Sequence, residues 1–508
     1  MAFASVRFFL FLALAMAIYF FAAKKARWIA LLVLSLAFYV GAASAKLALA
    51  MAGMSLWAYL AGLAIREFGI DEEGAKNLPQ KKRLIATIAI LFEAGILIAL
   101  KENAFFVTNA NLLLGLSLPF PEWVAPLGVS YYTLMLIGYI CDVHWEICQA
   151  EKNFFKFLLF TCFFPQMLSG PISRYGDVKD QLFEGNAPSL RQISLGFSRI
   201  AWGYFKKVVV ADGLALVVGY IFQDFNQSRQ LLLLGAFCYS LQLYADFSGL
   251  MDIVIGIGSL FGVKLPENFR QPFFSASLSE LWQRWHMSLG VWLRNYIFYP
   301  FQKSKRMAKV RALAEKAGGR RAGGEASKLL SLLVLWVSIG FWHGGTWKYI
   351  FGAGLFFFAM ISLGIALNPL SKKVRKLLRI NPNNVPFRIF QSLRTFVLFS
   401  ISISFCRMGS FRTGISYWQS VFSNIPSQRF WSASLLEAIS LKELFVVIAG
   451  LAIMLLVSVF QLNKDIEEFF QNHASVRWAA FLSLAFAAII FGFYGIGYNA
   501  QDFIYGDF

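Results

Sequence analysis

The chain has 508 residues, 58% hydrophobic and only 15% charged, with a formal net charge of +19. Soluble domains carry about 25% charged residues, so this composition excludes an ordinary water-soluble protein. It also argues against nucleic-acid binding, because the basic residues form short clusters between long apolar runs, as cytoplasmic loops of membrane proteins do.

Charge-free runs at 28–45, 47–65, 123–141, 329–347, 349–371, 444–463 and 478–501 punctuate the sequence. Each is close to the ~20 residues a helix needs to cross ~30 Å of hydrocarbon. Strands of a membrane barrel would leave short alternating segments instead. The expected fold class is an all-α polytopic integral membrane protein, with roughly 11–13 transmembrane helices plus re-entrant segments around a central channel.

The first apolar stretch, 1–23, ends at Lys24, Lys25 and Arg27 and leads into a further span without a small-residue cleavage pattern. It is expected to stay as a helix rather than leave as a signal peptide. Further basic clusters are Lys76 with Lys81, Lys82 and Arg83, the stretch 303–328, and Lys372, Lys373, Arg375, Lys376 and Arg379. Placing all of them inside puts both the N- and C-termini outside the membrane. The apolar-poor, glycine-diluted stretch 303–328 reads as a mobile cytoplasmic loop. Segment 154–173 is apolar but broken by Pro165 and Gly170-Pro171. Such backbone is tolerated at membrane depth only against protein or a water-filled cavity, so a re-entrant element is expected. The chain reads as one domain, 1–508, with core motifs in 123–347 and additional helices in 385–508.

Only four histidines occur: His144, His286, His343 and His473. His343, in Gly340-Phe341-Trp342-His343-Gly344-Gly345, falls between two apolar runs with glycines that permit close approach of a backbone or ligand. An ionisable side chain at membrane depth is costly and marks a functional candidate. The alternative is a core histidine bonded to a carbonyl. Around His286, Ser277 and Glu280 form a capping-box pattern that starts a helix. On that helix Trp282, Trp285, Leu289, Trp292, Tyr296 and Tyr299 make an aromatic stripe suited to packing or to an interfacial belt. His286, Gly290 and Arg294 share a second face, which could line a channel for an anionic ligand. His144 and His473 read as loop residues without a role. The five cysteines have no metal-type spacing and read as small hydrophobes. No phosphate loop and no Gly-x-Ser-x-Gly elbow is present, and the glycines Gly256, Gly258 and Gly262 read as helix packing. Asp246 and Asp252 are expected to pair with basic residues inside the protein or to line a polar cavity.

Seven segments, in order, together resemble the membrane-bound O-acyltransferase family, above all its alginate and peptidoglycan O-acetyltransferase branch. They are the ones beginning at Pro126-Leu127-Gly128, Phe164-Pro165-Gln166, Phe205-Lys206-Lys207, Asp246-Phe247-Ser248-Gly249, Leu265-Pro266-Glu267-Asn268-Phe269, Trp282-Gln283-Arg284-Trp285-His286 and Gly340-Phe341-Trp342-His343. The closing stretch 502–508 also looks like the end of that branch. Ala245, Gly290 and Asn295 depart from the family pattern and bear on substrate choice. The resemblance implies that His343 is the catalytic histidine and His286 the second family histidine. Arg284, Trp285, Arg294, Trp342, Asp246, Ser248 and Asn268 would then line the substrate and donor channel. It implies no metal and no permanently bound cofactor. Acetyl-CoA is the expected donor and an exported glycan such as alginate or peptidoglycan the acceptor. A periplasmic or extracellular partner with its own serine nucleophile is also implied. The competing expectations are D-alanyl transfer to teichoic acid from a carrier-protein thioester, and a transporter or flippase. The apparent lack of inverted repeats and the helices beyond Arg407 weigh against these.

Chemically, transfer of an acyl group from a thioester to an alcohol needs a base and an oxyanion stabiliser. Desolvation favours the neutral, proton-accepting imidazole, so His343 is expected to act as the base where a donor tunnel from the cytoplasm meets an opening from outside.

Overall fold

A computed structural model describes residues 3, 5–67, 78–423, 433–494 and 503–504. Lys76, the end of the 478–501 run and most of the closing stretch 502–508 lie outside the described residues. Among those described there is no strand, only one isolated bridge between Phe269 and Trp285. Among the described residues nine helices are long and apolar enough to cross a membrane, and Val6–Phe21 is a shorter apolar one. The protein is thus all-α and polytopic.

Burial separates the centre from the lipid-facing rim. In Arg229–Leu260 83% of the apolar window is buried, against 17% in Leu441–Asn463 and 6% in Ala474–Phe491. Exposed Phe445, Leu456 and Ile489 on the latter two face outward, as expected where lipid rather than protein covers the helix. The central helix packs on Leu190–Tyr204 through facing glycines. A Cβ on Gly203 would come within 2.6 Å of the Gly249 carbonyl oxygen, and one on Gly256 within 2.8 Å of the Gly196 carbonyl oxygen. Small residues let the two backbones touch, the usual way that helices associate without a hydrophobic driving force between them.

Ion pairs lock the same crossing. Lys206 and Lys207 lie on a π-helical turn, Phe205–Ala211, that continues Leu190–Tyr204. Lys207 pairs with Asp246 at 2.8 Å and with Asp212 at 2.9 Å. Lys206 pairs with Asp252 at 2.5 Å and donates to Ser248 Oγ at 2.9 Å. Arg199 bridges Asp252 and Glu267. The backbone N–H of Ile504 donates to Asp246 Oδ2 at 2.8 Å, tying that part of the closing segment to the network.

Three sequence expectations need correction. The run 123–141 is helical only from Val129, because Gly128 takes φ +75° against the Met167 backbone and starts Val129–His144 there. The stretch 303–328, expected as a mobile loop, is helical and merges into Lys305–Trp342. Its Ala, Glu, Lys and Arg residues favour helix, and the two glycines only punctuate it: Gly318 and Gly319 have non-helical angles, with φ +78° at Gly319. Gly323 lies against Arg311 and Glu315, so the two helical arms fold back on each other. The single helix expected through 277–299 is broken. Leu278–Arg284 ends, Trp285 is extended, His286 takes φ +46° and Met287–Leu293 begins afresh. The N–H groups of Met287 and Ser288 donate to Asn268, and that of Arg270 to the Arg284 carbonyl. A neighbouring strap has therefore taken over bonds that a continuous helix would make itself.

The segment 154–173 behaves as its Pro-Gly punctuation suggested. Phe154–Cys162 is nine residues long, and the irregular backbone that follows, 163–173, is buried except for a half-buried Leu168. Gln166 accepts from Ser173 Oγ at 2.9 Å and donates to the Phe160 carbonyl, satisfying polar groups inside the turn. Arg174 closes it with a bidentate bridge to Asp142, which also accepts from the Tyr296 hydroxyl.

Candidate active site

Lys305–Trp342 and the π-helical segment Lys348–Leu355 meet at the Trp342–Trp347 turn. Glycine makes the approach possible: a Cβ on Gly340 would sit 2.7 Å from Ile350 Cα, and one on Gly354 2.7 Å from the Trp336 carbonyl oxygen. His343 caps the first helix, its N–H donating to the Ile339 carbonyl at 3.1 Å. Gly344 and Gly345 follow with φ of +132° and +55°, angles a side chain would strain. The glycines around His343 thus serve backbone geometry as well as access. The π-helical turn beside it belongs to a class of irregularity that gathers at functional sites.

His343 is 8% exposed and lines a narrow, mainly apolar cavity. Tyr239, Leu243, Trp282, Tyr349, Ile403 and Cys406 are among the other walls. The Tyr349 ring centroid is 6.4 Å from the imidazole. Glu102, 4% exposed with Oε2 lacking a hydrogen-bond partner, lies directly against Gly345.

His286 is drawn to the same place by the helix break. Trp342 stands beside both histidines, its ring 4.9 Å from that of His343 and 6.0 Å from that of His286. The indole donates to the Ser130 carbonyl at 3.4 Å and its ring contacts Tyr131 edge-on, which anchors it on Val129–His144. Phe247 meets the His286 ring edge-on at 4.8 Å. Asn268 Oδ1 lies 3.2 Å from His286 Nδ1.

The sequence-derived site therefore divides. His343, His286, Trp342 and Asn268 form one cluster through ring contacts and the Asn268–His286 bond, and of these only His343 lines the cavity. Asp246 and Ser248 are buried but engaged by Lys207 and Lys206, and neither lines the cavity. Trp285 is 1% exposed and packs on Phe269, Phe273 and Phe399 as core. Arg284 forms an i,i+4 bridge with Glu280 at 2.7 Å. Arg294 is exposed whereas His286 is buried: His286 is the N-cap of the helix that leads to Arg294, and its φ of +46° takes it out of that helix's regular geometry, so the expected shared face is not formed. Sequence reasoning missed Tyr239, Tyr349 and Cys406, which come from three separate helical segments with no local pattern to join them, and it read Trp282 as packing only. No group of three or more metal-ligating side chains occurs among the described residues.

The family model for MBOAT, the membrane-bound O-acyltransferase family, matches residues 150–314, which include Asn268 and His286. The chain is 34% identical over 326 residues to the probable alginate O-acetylase AlgI of Pseudomonas putida, covering 63% of this chain and 62% of that protein. It is 31% identical over 372 residues to AlgI of Pseudomonas aeruginosa, covering 69% and 66%. The peptidoglycan O-acetyltransferase of Helicobacter pylori is 30% identical over 299 residues, 53% of each chain. The chain spans 62, 59 and 57% of the lengths of three Pseudomonas AlgI proteins that it matches. With its helical membrane architecture and its paired buried histidines, the chain belongs to the membrane-bound O-acyltransferase family.

Proposed function

We propose that the protein is an O-acyltransferase that passes an acetyl group from cytoplasmic acetyl-CoA across the membrane, for O-acetylation of an exported cell-envelope polysaccharide such as alginate or peptidoglycan. The observation that carries this reading is His343, buried at the turn between two long apolar helical segments and lining a cavity next to a second buried histidine. The likeness to proteins named as alginate and peptidoglycan O-acetyltransferases supports the class of acceptor.

In this reading His343 takes the proton of the attacking hydroxyl as its oxygen bonds to the thioester carbonyl carbon. The carbon–sulfur bond then breaks, the departing thiolate recovers that proton from the imidazolium, and an ester and a free thiol result. The attacking hydroxyl belongs to the glycan itself or to a serine of an outward-facing partner protein. The low-polarity walls make a neutral imidazole the resting form of a base and strengthen any dipole aimed at the oxyanion. Basic residues of 303–328 attract the CoA phosphates from the cytoplasmic side. The membrane is the bacterial inner membrane and both termini face out, following the distribution of basic clusters.

The test is complementation of a strain lacking the gene, with O-acetyl content of the exported polysaccharide as readout and immunoblotting to equalise protein. His343→Ala is expected to lower acetylation by about 10²- to 10⁴-fold, the usual contribution of a general base. Undiminished acetylation at wild-type protein levels would remove His343 from the chemistry.

A further inference from the structure

We infer that Asn268 is the positioning residue that fixes the His286 tautomer, so that His286 enters the reaction with Nδ1 protonated and Nε2 as a hydrogen-bond acceptor. The argument starts from the orientation of the Asn268 amide. Ser288 N–H can only donate, and it lies 3.0 Å from one terminal atom of that amide, which must therefore be the oxygen. The other terminal atom lies 3.0 Å from the Met251 thioether sulfur, which can only accept, and so must be the nitrogen. Two independent neighbours thus settle the flip that is ordinarily ambiguous.

With Oδ1 so placed, 3.2 Å from His286 Nδ1, the ring nitrogen must be the donor. The neutral imidazole then carries its lone pair on Nε2. Asn268 is 1% exposed and His286 2%, so water does not compete for this bond. Oδ1 also accepts from Ser288 Oγ at 3.0 Å, and the Asn268 carbonyl accepts from Met287 N–H at 3.0 Å. One residue therefore caps the new helix from outside, holds His286 in its left-handed backbone conformation and sets its proton. A general base for which orientation and tautomer matter needs such a partner. This makes Asn268 part of the support of the site rather than a wall of a channel, and it leaves Nε2 as the proton-accepting nitrogen of neutral His286.

The tautomer is a property of the resting protein and is tested without activity. Full-length protein in nanodiscs, labelled with ¹⁵N-histidine, gives ring nitrogen shifts that distinguish the two neutral tautomers, with His286→Gln assigning the signal. The expected result is a protonated Nδ1 and a bare Nε2 in the wild type. The same signature is expected in Ser288→Ala, which spares the imidazole partner. Asn268→Ala is expected to lose it. A neutral His286 protonated on Nε2 in the wild type, or loss of the signature in Ser288→Ala, overturns the inference, even where the Asn268→Ala variant fails to fold. The kinetic consequence rests on the acyl-transfer reading. Asn268→Ala is expected to lower kcat about 10- to 100-fold with little change in KM, as when the partner orienting a functional imidazole is lost. Unchanged kcat in folded Asn268→Ala removes the positioning role. Failure of the His343→Ala experiment would leave the spectroscopic result standing.

Discussion

Replacing Asp252 with alanine removes the carboxylate from the centre of the ion network on the main helix crossing. Lys206 Nζ, on a side chain 5% exposed, loses its 2.5 Å partner and keeps the Ser248 hydroxyl and the face of the Trp202 ring, with no carboxylate in contact. Arg199 loses its 2.9 Å contact but keeps Glu267 at 2.5 Å. An exposed pair would contribute about 0–1 kcal/mol, whereas breaking a buried pair costs about 3–5 kcal/mol, mostly for the stranded charge. Asp252 itself is 15% exposed and Arg199 stays compensated, which places the expected loss near the lower end, about 3 kcal/mol. Removing both charges with Lys206→Met and Asp252→Leu leaves no stranded lysine, and stability should return to within about 1 kcal/mol of wild type. The assay is unfolding of the purified protein by SDS titration in mixed micelles, followed by tryptophan fluorescence. Asp252→Ala within about 1 kcal/mol of wild type, or a double variant no more stable than the single one, would refute the stranded-charge argument.

Two further outcomes test the fold and the edges of the site. Gly203→Leu would drive a side chain into the Gly249 carbonyl and Ile253, and should cost at least about 1–3 kcal/mol, seen as loss of the monodisperse peak in size-exclusion chromatography. A normal peak and unchanged unfolding midpoint would mean that the crossing is not as tight as described. Arg294→Ala removes an exposed side chain, so O-acetylation of the exported polysaccharide should stay within about two-fold of wild type. A hundred-fold loss would return Arg294 to the active site.

The membrane architecture was legible because its cause is local. Exclusion of charge over some twenty residues depends on the hydrocarbon around a helix, not on which helix lies beside it. The same locality made Pro165 and Gly170-Pro171 readable as a broken helix and His343 as a candidate, since glycines and an ionisable group stand out in an apolar run. Asp246 and Asp252 were expected to pair with basic residues or to line a polar cavity, and they pair. Their distance from the cavity was not readable, because Lys206 and Lys207 belong to another helix.

What sequence alone determined is therefore the class of fold and the family resemblance, and it singled out the two histidines as candidates. Tertiary structure decided which neighbours joined them. The periodicity of Trp282, Trp285 and Trp292 favoured one helix, but Asn268 and Arg270 take the hydrogen bonds that helix required, and the chain breaks at His286 instead. That break separates Trp282 from Trp292 and puts His286, with φ +46°, at the start of the second helix. Hydrogen bonds between segments distant in sequence override local helical pattern wherever they satisfy the same buried N–H groups, and no spacing along the chain records them.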